Sequence, residues 1–279
     1  MTIIPIFIDP GIQNFSHDEA EKVKNCCKIP DKKTVFLTFD DGPVDGTFDV
    51  VKVLNANNAK ATFFVMGNNA DKNDSRRELL RQLQANPNFL IGNHSQTHAN
   101  KEGYSSFYKD DHSDYVLADF VKCDMTLLKI LGNGVQKHQH ARLPGRNTWR
   151  VDDISSDAYA PNNYMIPTYD TKDEADTLRN AGYRVYGWDV EWKGPGDIHD
   201  SPDRVFRVID FHLTPFMGVS NIKRPNKLIL LMHDRMFRRQ KGLNDNDKGA
   251  ELNDNVAKLD RLIKMLLAAG YTFDVVSNY

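Results

Sequence analysis

The chain has 279 residues, of which 40% are hydrophobic and 27% charged, with a formal net charge of −2. That length can bury a large core, enough for one barrel-like α/β domain or two small ones. There is no basic excess, which argues against nucleic acid or an anionic membrane surface as a partner.

The three cysteines, Cys26, Cys27 and Cys123, have neither disulfide-framework nor zinc-finger spacing and read as reduced structural thiols. Met1 to Pro10 is apolar but short, lacks a basic start and is interrupted by Asp9 and Pro10. Neither a signal peptide nor a membrane span is expected from it, which leaves a cytoplasmic location as the default and export by another route open. Nothing in the sequence sets an oligomeric state.

Short apolar runs alternate with amphipathic stretches, the pattern of βα units in a mostly parallel sheet. Thr34 to Phe39 is predicted as a strand, ended by Asp40-Asp41-Gly42-Pro43, with a helix over Thr47 to Asn57. Ala61 to Met66, rich in aromatic and β-branched residues, is the second strand. Ser75 to Gln84 is a helix with Ser75 as the expected cap and Glu78 three residues on. Phe89 to Gly92 is a short strand running into His94. Lys101 to Asp114, polar and aromatic without a period, is expected to be a loop over the site. Asp114 to Leu131 has apolar residues at helical spacing and is stopped by Gly132 and Gly134. A strand end and turn at Ala141 to Gly145, a helix over Thr171 to Ala181 and a strand over Tyr183 to Asp189 follow. Pro202 to Leu213 is a helix with proline at its start, and Leu228 to Met232 is a buried parallel strand. Arg235 to Asp254 reads as a charged loop and Asn255 to Ala269 as the last helix. With no repeat and no linker, the chain reads as one domain over 1–279, its core at 34–275 and an N-terminal extension at 1–33.

Residues capable of chemistry follow directly on these strands: Asp40, Asp41, His94, Arg142, Asp189, Glu191 and His233. Parallel α/β folds place their sites at the carboxyl ends of strands. His94 and His98 are four residues apart, and one helical turn would point both imidazoles the same way. Two imidazoles and one carboxylate form an open metal site, although surface histidines at this spacing are common. Adjacent carboxylates at Asp40-Asp41 repel unless a cation or hydrogen-bond donors compensate. One could ligate a metal while the other takes a proton from its water, whose pKa the metal lowers toward ~7; the same tetrapeptide is also good turn chemistry. His233 could protonate a leaving nitrogen or be an ordinary core-edge histidine. Arg142 could keep a base carboxylate ionised or form a surface salt bridge.

Taken together, the segments resemble the polysaccharide deacetylase family, also called the NodB-homology domain or carbohydrate esterase family 4. Thr38-Phe39-Asp40-Asp41-Gly42-Pro43 matches the first of its five ordered motifs, His94 to His98 the second, and Leu230-Leu231-Met232-His233-Asp234 the fifth. The third departs: Arg142-Leu143-Pro144-Gly145-Arg146 has Gly145 at an aromatic position and Arg146 at a glycine. In the fourth, Trp188-Asp189-Val190-Glu191-Trp192, either Glu191 or Asp189 stands for the acid. The resemblance implies a distorted (β/α) barrel with fewer than eight strands, and metal-dependent removal of N-acetyl groups from N-acetylglucosamine in peptidoglycan or chitin-like glycans. It implies Asp40 as general base and Asp41, His94 and His98 as ligands of zinc, or of cobalt, nickel or iron in its place. Arg142 would orient Asp40, and His233, tuned by Asp189 or Glu191, would protonate the departing amine. Trp192 would line the acetyl pocket, with Pro144 and Gly145 in the groove and an N–H near Gly145 facing the oxyanion. Other substrates on the same metal site, such as a cyclic imide, a formylated amino sugar or another small amide, are alternatives. A non-catalytic carbohydrate-binding protein is another, against which the joint retention of Asp40, Asp41, His94, His98 and His233 argues.

Overall fold

The computed structural model describes residues 32–99, 103–109, 112–132, 139–157, 171–192, 201–214, 222–237 and 249–279. Residues 1–31 of the N-terminal extension, with Cys26 and Cys27, lie outside them. A compact unit runs from Lys33 to Tyr279, and all that follows lies within it.

The centre of the sheet is β1 (Thr34–Gly42), paired in parallel with β2 (Ala61–Val65) on one side and β9 (Lys227–His233) on the other. Beyond β2 come β3 (Phe89–Asn93), β4 (His140–Ala141) and β7 (Arg184–Val185), and beyond β9 comes β8 (Val190–Glu191). β5 (Trp149–Val151) and β6 (Ile154–Ser156) form an antiparallel hairpin outside β7, and β10 (Thr272–Phe273) joins the start of β1. Fewer than eight strands describes the continuous parallel path, from β7 to β8. Among the described residues the sheet has ten, because β5, β6 and β10 are pieces too short to leave a periodic signal. No ladder joins β8 to β6 among the described residues, so the sheet is a curled, open half-barrel.

Alternation along the strands separates two faces. Val35, Leu37, Phe39, Phe63, Leu228, Leu230 and Met232 pack on one face with the helix residues Leu54, Leu80 and Leu262. Phe36, Phe64, Ile229 and Leu231 pack on the other with Trp149, Tyr186 and Trp188. Asp40 shares the phase of Phe36, and His233 that of Ile229 and Leu231. The alternation therefore brings both to the inner face at the carboxyl end of the sheet.

The helices are α1 (Asp45–Ala56), α2 (Gly67–Ala70), α3 (Asp74–Ala85), α4 (Tyr104–Phe107), α5 (Ser113–Leu131), α6 (Lys172–Asn180), α7 (Pro202–Leu213) and α8 (Gly249–Ala268). The cap of α3 is Asn73, not Ser75: Asn73 is extended and its side chain accepts from the Arg76 N–H at 3.0 Å. Asparagine caps as well as serine, and it stands where the chain is still outside the helix. The expected strand over Tyr183 to Asp189 is split, because residues 187 and 188 give their carbonyls to Arg142 and Asn147 rather than to a ladder. α4 lies within the stretch read as a loop, and α8 starts at Gly249, inside the other expected loop; 238–248 lie outside the described residues. Cys123 is a buried free thiol. No helix among the described residues is long and apolar enough to cross a membrane.

Candidate metal centre

At the end of β1 the register with β2 shifts between Asp40 and Gly42, leaving Asp41 as an extra residue at φ 72°. Regular alternation would send Asp40 and Asp41 to opposite faces; the bulge re-aims Asp41. Asn69 Nδ2 holds the Asp41 carbonyl at 2.7 Å, and Arg76 holds Asn69 Oδ1 at 3.3 Å. Gly42 admits no side chain, since a Cβ there would lie 2.0 Å from Asp234 Oδ2. That oxygen accepts the Thr47 hydroxyl at 2.6 Å, tying the end of β9 to α1. Burial, with Asp41 and Asp40 adding to it, pushes the Asp234 carboxyl up to about 8.

His94 and His98 do not sit on a helical turn. They lie in a loop after β3, with Ser95 and His98 at φ 66° and 55°. Short polar side chains bind the local backbone and displace the helix. Asn93 Oδ1 accepts from Ser95 N at 2.8 Å, Ser95 Oγ from His98 N at 3.0 Å, and Asp119 Oδ2 from Thr97 N at 3.0 Å. His94 Nδ1 lies 2.9 Å from the Arg142 carbonyl. A carbonyl can only accept, so the hydrogen is on Nδ1 and the Nε2 lone pair faces the carboxylates.

His94 Nε2 is 3.5 Å and His98 Nε2 3.1 Å from Asp41 Oδ1, and one ligand atom from each of the three residues lies within 4.8 Å of the others. A four-coordinate ion with bonds of about 2.1 Å spaces its ligands by about 3.4 Å. Asp41 Oδ1 is buried and has no hydrogen-bond partner among the described residues. One carboxylate oxygen and two imidazole nitrogens therefore converge on one point, and two imidazoles plus a carboxylate suit a divalent ion of the zinc type. Burial opposes ionisation of Asp41, but His94 and His98 outweigh it and hold the carboxyl well below the usual range. Burial opposes protonation of His94, and Asp40 and Asp41 overcome it, so its pKa is raised. Arg235 approaches the other Asp41 oxygen at 3.4 Å.

Asp40 is 3% exposed, with Oδ2 3.7 Å from His94 Nε2 and Oδ1 accepting from Arg142 at 2.8 Å. The Arg142 guanidinium is wholly buried and also donates to Thr38 Oγ1, the Tyr186 carbonyl and the Gly187 carbonyl at 2.8, 3.1 and 2.8 Å. His233 is level with Asp40 in the ladder and half-buried. Burial lowers its pKa, against the pull of Asp40 and Asp41. Asp189 accepts the N–H groups of Ile229 (2.7 Å) and Lys223 (3.2 Å). It therefore sits level with Ile229, about 13 Å down the strand from His233. Burial raises its pKa to about 6. Glu191 pairs with Leu231, one in-phase position from His233. Trp192 is buried in the helix-side core, edge-on to Phe237 at 6.3 Å. Pro144 is buried, its carbonyl accepting the Tyr108 hydroxyl at 2.7 Å. Gly145 has φ 64° and faces the Tyr104 ring.

The site thus brings Asp40, Asp41, His94, His98, Arg142 and His233 together, holds Glu191 nearby and keeps Asp189 lower on the sheet, where its charge still acts on Arg142. It adds Asp234, Tyr104, Asn69 and Arg235. Asp234 stands inside the matched fifth motif, and the aromatic character of 101–114 is the available signal for Tyr104; nothing local marks Asn69 or Arg235.

Residues 28–160 match the family model described as polysaccharide deacetylase. A chitin disaccharide deacetylase of Vibrio alginolyticus is 25% identical, over 89% of this chain and 71% of the relative. A peptidoglycan-N-acetylglucosamine deacetylase of Bacillus cereus is 41% identical over 70 residues, 25% of this chain and 24% of the relative. Among solved structures, a Streptococcus mutans CE4 esterase superposes with a TM-score of 0.60 at 24% identity, covering 92% of this chain and 90% of that one.

Proposed function

Since the chain belongs, over residues 28–160, to the polysaccharide deacetylase family, we propose that it is a metal-dependent hydrolase releasing acetate from N-acetylglucosamine residues of chitin-type oligosaccharides. The observation that carries this is the buried Asp41 Oδ1, without a hydrogen-bond partner and facing two imidazole nitrogens, with a second carboxylate beside it. The oligosaccharide class is supported by the chitin disaccharide relative, which is matched along 89% of this chain.

Asp41, His94 and His98 would hold the ion, zinc by preference. When bound, it supplies a Lewis acid for the amide carbonyl and a water acidic enough to ionise near neutral pH. Asp40 takes the proton of the attacking water. Its Oδ1 is fixed by Arg142, and its Oδ2, on the side of the ligand cluster, is the accepting atom. Arg142 orients Asp40 without reaching the substrate. His233, on the inner face level with Asp40, delivers a proton to the departing nitrogen. Its lowered pKa makes its protonated form the stronger acid. Glu191 is placed to tune it; Asp189, lower on the sheet, braces β9 and Lys223. Pro144 positions the turn from which Gly145 offers its N–H to the oxyanion; Trp192, expected to line the acetyl pocket, instead points to the opposite face of the sheet, because strand alternation gives the inner face to its neighbour Glu191. Water adds to the acetyl carbon, the C–N bond breaks, and acetate and a free amine leave.

Incubating zinc-loaded protein with N,N′-diacetylchitobiose, longer chitooligosaccharides and peptidoglycan fragments, and measuring the free amine formed, tests this. Turnover of the chitin series is expected. Turnover of peptidoglycan fragments alone would move the substrate class, and turnover of none would remove the proposal.

A further inference from the structure

We propose that Tyr104, seated over Gly145 and clamped by Arg146, forms the sugar-stacking wall of the site beside His98. The ring of Tyr104 meets His98 edge-on at 5.7 Å, so it stands next to the ligand cluster although it comes from a separate short helix. The space it uses exists only because residue 145 is glycine. A Cβ there would lie 2.8 Å from Tyr104 Cζ, 2.9 Å from its hydroxyl and 3.0 Å from Cε1. The φ of 64° at the same residue penalises a side chain independently.

Arg146 explains how the ring is held. Arg146 is 4% exposed, yet its Nε and one terminal nitrogen have no hydrogen-bond partner among the described residues. The other terminal nitrogen donates to the Gly145 carbonyl at 3.1 Å. What the guanidinium meets instead is aromatic: its carbon lies 5.3 Å from the Tyr104 ring centre and 4.8 Å from that of Tyr108. The two rings are nearly parallel, 9° apart, at 6.3 Å. The Tyr108 hydroxyl donates to the Pro144 carbonyl at 2.7 Å, closing the clamp from behind. A buried guanidinium with a single carbonyl acceptor is expensive, and an aliphatic side chain would fill the gap without that penalty. Cation–π attraction in a desolvated setting offsets the cost and fixes where the rings stand. Gly145, Arg146, Tyr104 and Tyr108 therefore form one unit, whose product is a half-buried, rigid aromatic ring next to His98. An aromatic surface at that place suits the apolar C–H face of a pyranose.

The identity of the stacked group as the sugar bearing the scissile acetamide rests on the proposed function; the wall itself does not. The test uses the full chain with zinc, comparing wild type with Tyr104→Phe, Tyr104→Ala and Gly145→Ala. Zinc affinity, binding of N,N′,N″-triacetylchitotriose by calorimetry, and kcat and KM for its deacetylation are measured separately. Tyr104→Phe should stay within about twofold of wild type. Tyr104→Ala should weaken oligosaccharide binding and raise KM about tenfold, the change falling on KM rather than kcat and leaving zinc affinity in place. Gly145→Ala, by displacing the ring, should weaken oligosaccharide binding in the same direction, and it should also lower kcat because the same residue carries the oxyanion N–H. Unchanged KM and binding in Tyr104→Ala would overturn the inference, as would a loss of zinc affinity parallel to the loss of binding, which would make Tyr104 a support for His98. Tyr104-dependent binding in a protein that releases no acetate would leave the wall standing and defeat the deacetylase proposal instead.

Discussion

Replacing Arg142 with methionine removes the counter-charge of a carboxylate that is 3% exposed. Arg142 makes four hydrogen bonds of 2.8 to 3.1 Å and lies 4.3 Å from the Phe64 ring centre. Breaking a buried pair by deleting one partner costs about 3–5 kcal/mol. The hydroxyl and two carbonyls that lose their donor add to this, while the methionine stem retains part of the packing, so a loss of about 4 kcal/mol is expected. For a unit of this size that lowers Tm by roughly 8–16 °C. Scanning calorimetry of the metal-free protein measures it, with Arg184→Met as control: Arg184 pairs with the exposed Asp152, and its loss should cost less than about 1 kcal/mol. Adding Asp40→Asn to Arg142→Met should recover part of the loss, because the uncompensated charge is removed. A stability change in Arg142→Met as small as that of the control would refute the assignment of Arg142 as the buried partner of Asp40.

Asp234, held near 8 in the folded state against an ordinary value of 3.8, stabilises the fold fully below about pH 4, and that stability is lost as pH rises through 8. Asp234→Asn should flatten this slope in urea midpoints taken between pH 4 and 8; identical slopes would mean the native carboxyl is already ionised. Gly42→Ala should cost about 1–3 kcal/mol by forcing a methyl into the Asp234 carboxylate, and an unchanged Tm would contradict the close approach. Zinc at one hundred times its Kd should raise stability by about 2.7 kcal/mol; His94→Ala should abolish the shift, and a retained shift would place the ion elsewhere. Asp40→Asn should keep zinc, measured by elemental analysis, and lose turnover.

The strand-end positions of Asp40, Asp41, His94, Arg142 and His233 are legible in the sequence because apolar runs end on them and the motifs keep their order. The means by which they converge are not. The helical turn expected for His94 and His98 is replaced by a loop tied down by Asn93 and Asp119, the latter from the distant α5. The bulge that turns Asp41 toward the histidines depends on β2 and on Asn69. The fourth motif offered two registers for the acid, and only the pairing of Glu191 with Leu231 and of Asp189 with Ile229 separates them in height. Gly145 looked like a loss at an aromatic position. Its meaning depends on Tyr104, a residue in a stretch without periodicity. The hairpin β5–β6 and the strand β10 were too short to show a period at all.

The central claim is that Asp41, His94 and His98 hold the metal for an acetyl-removing hydrolase with Asp40 as base. The measurement that bears on it most directly is the release of acetate and free amine from N,N′-diacetylchitobiose by zinc-loaded, chelator-treated and zinc-restored protein, alongside Asp40→Asn. The account predicts acetate and amine in equal amounts from the loaded protein, none after chelation, recovery with zinc, and none from Asp40→Asn despite bound zinc. Acetate release that survives chelation, or near-normal turnover in Asp40→Asn, would contradict it.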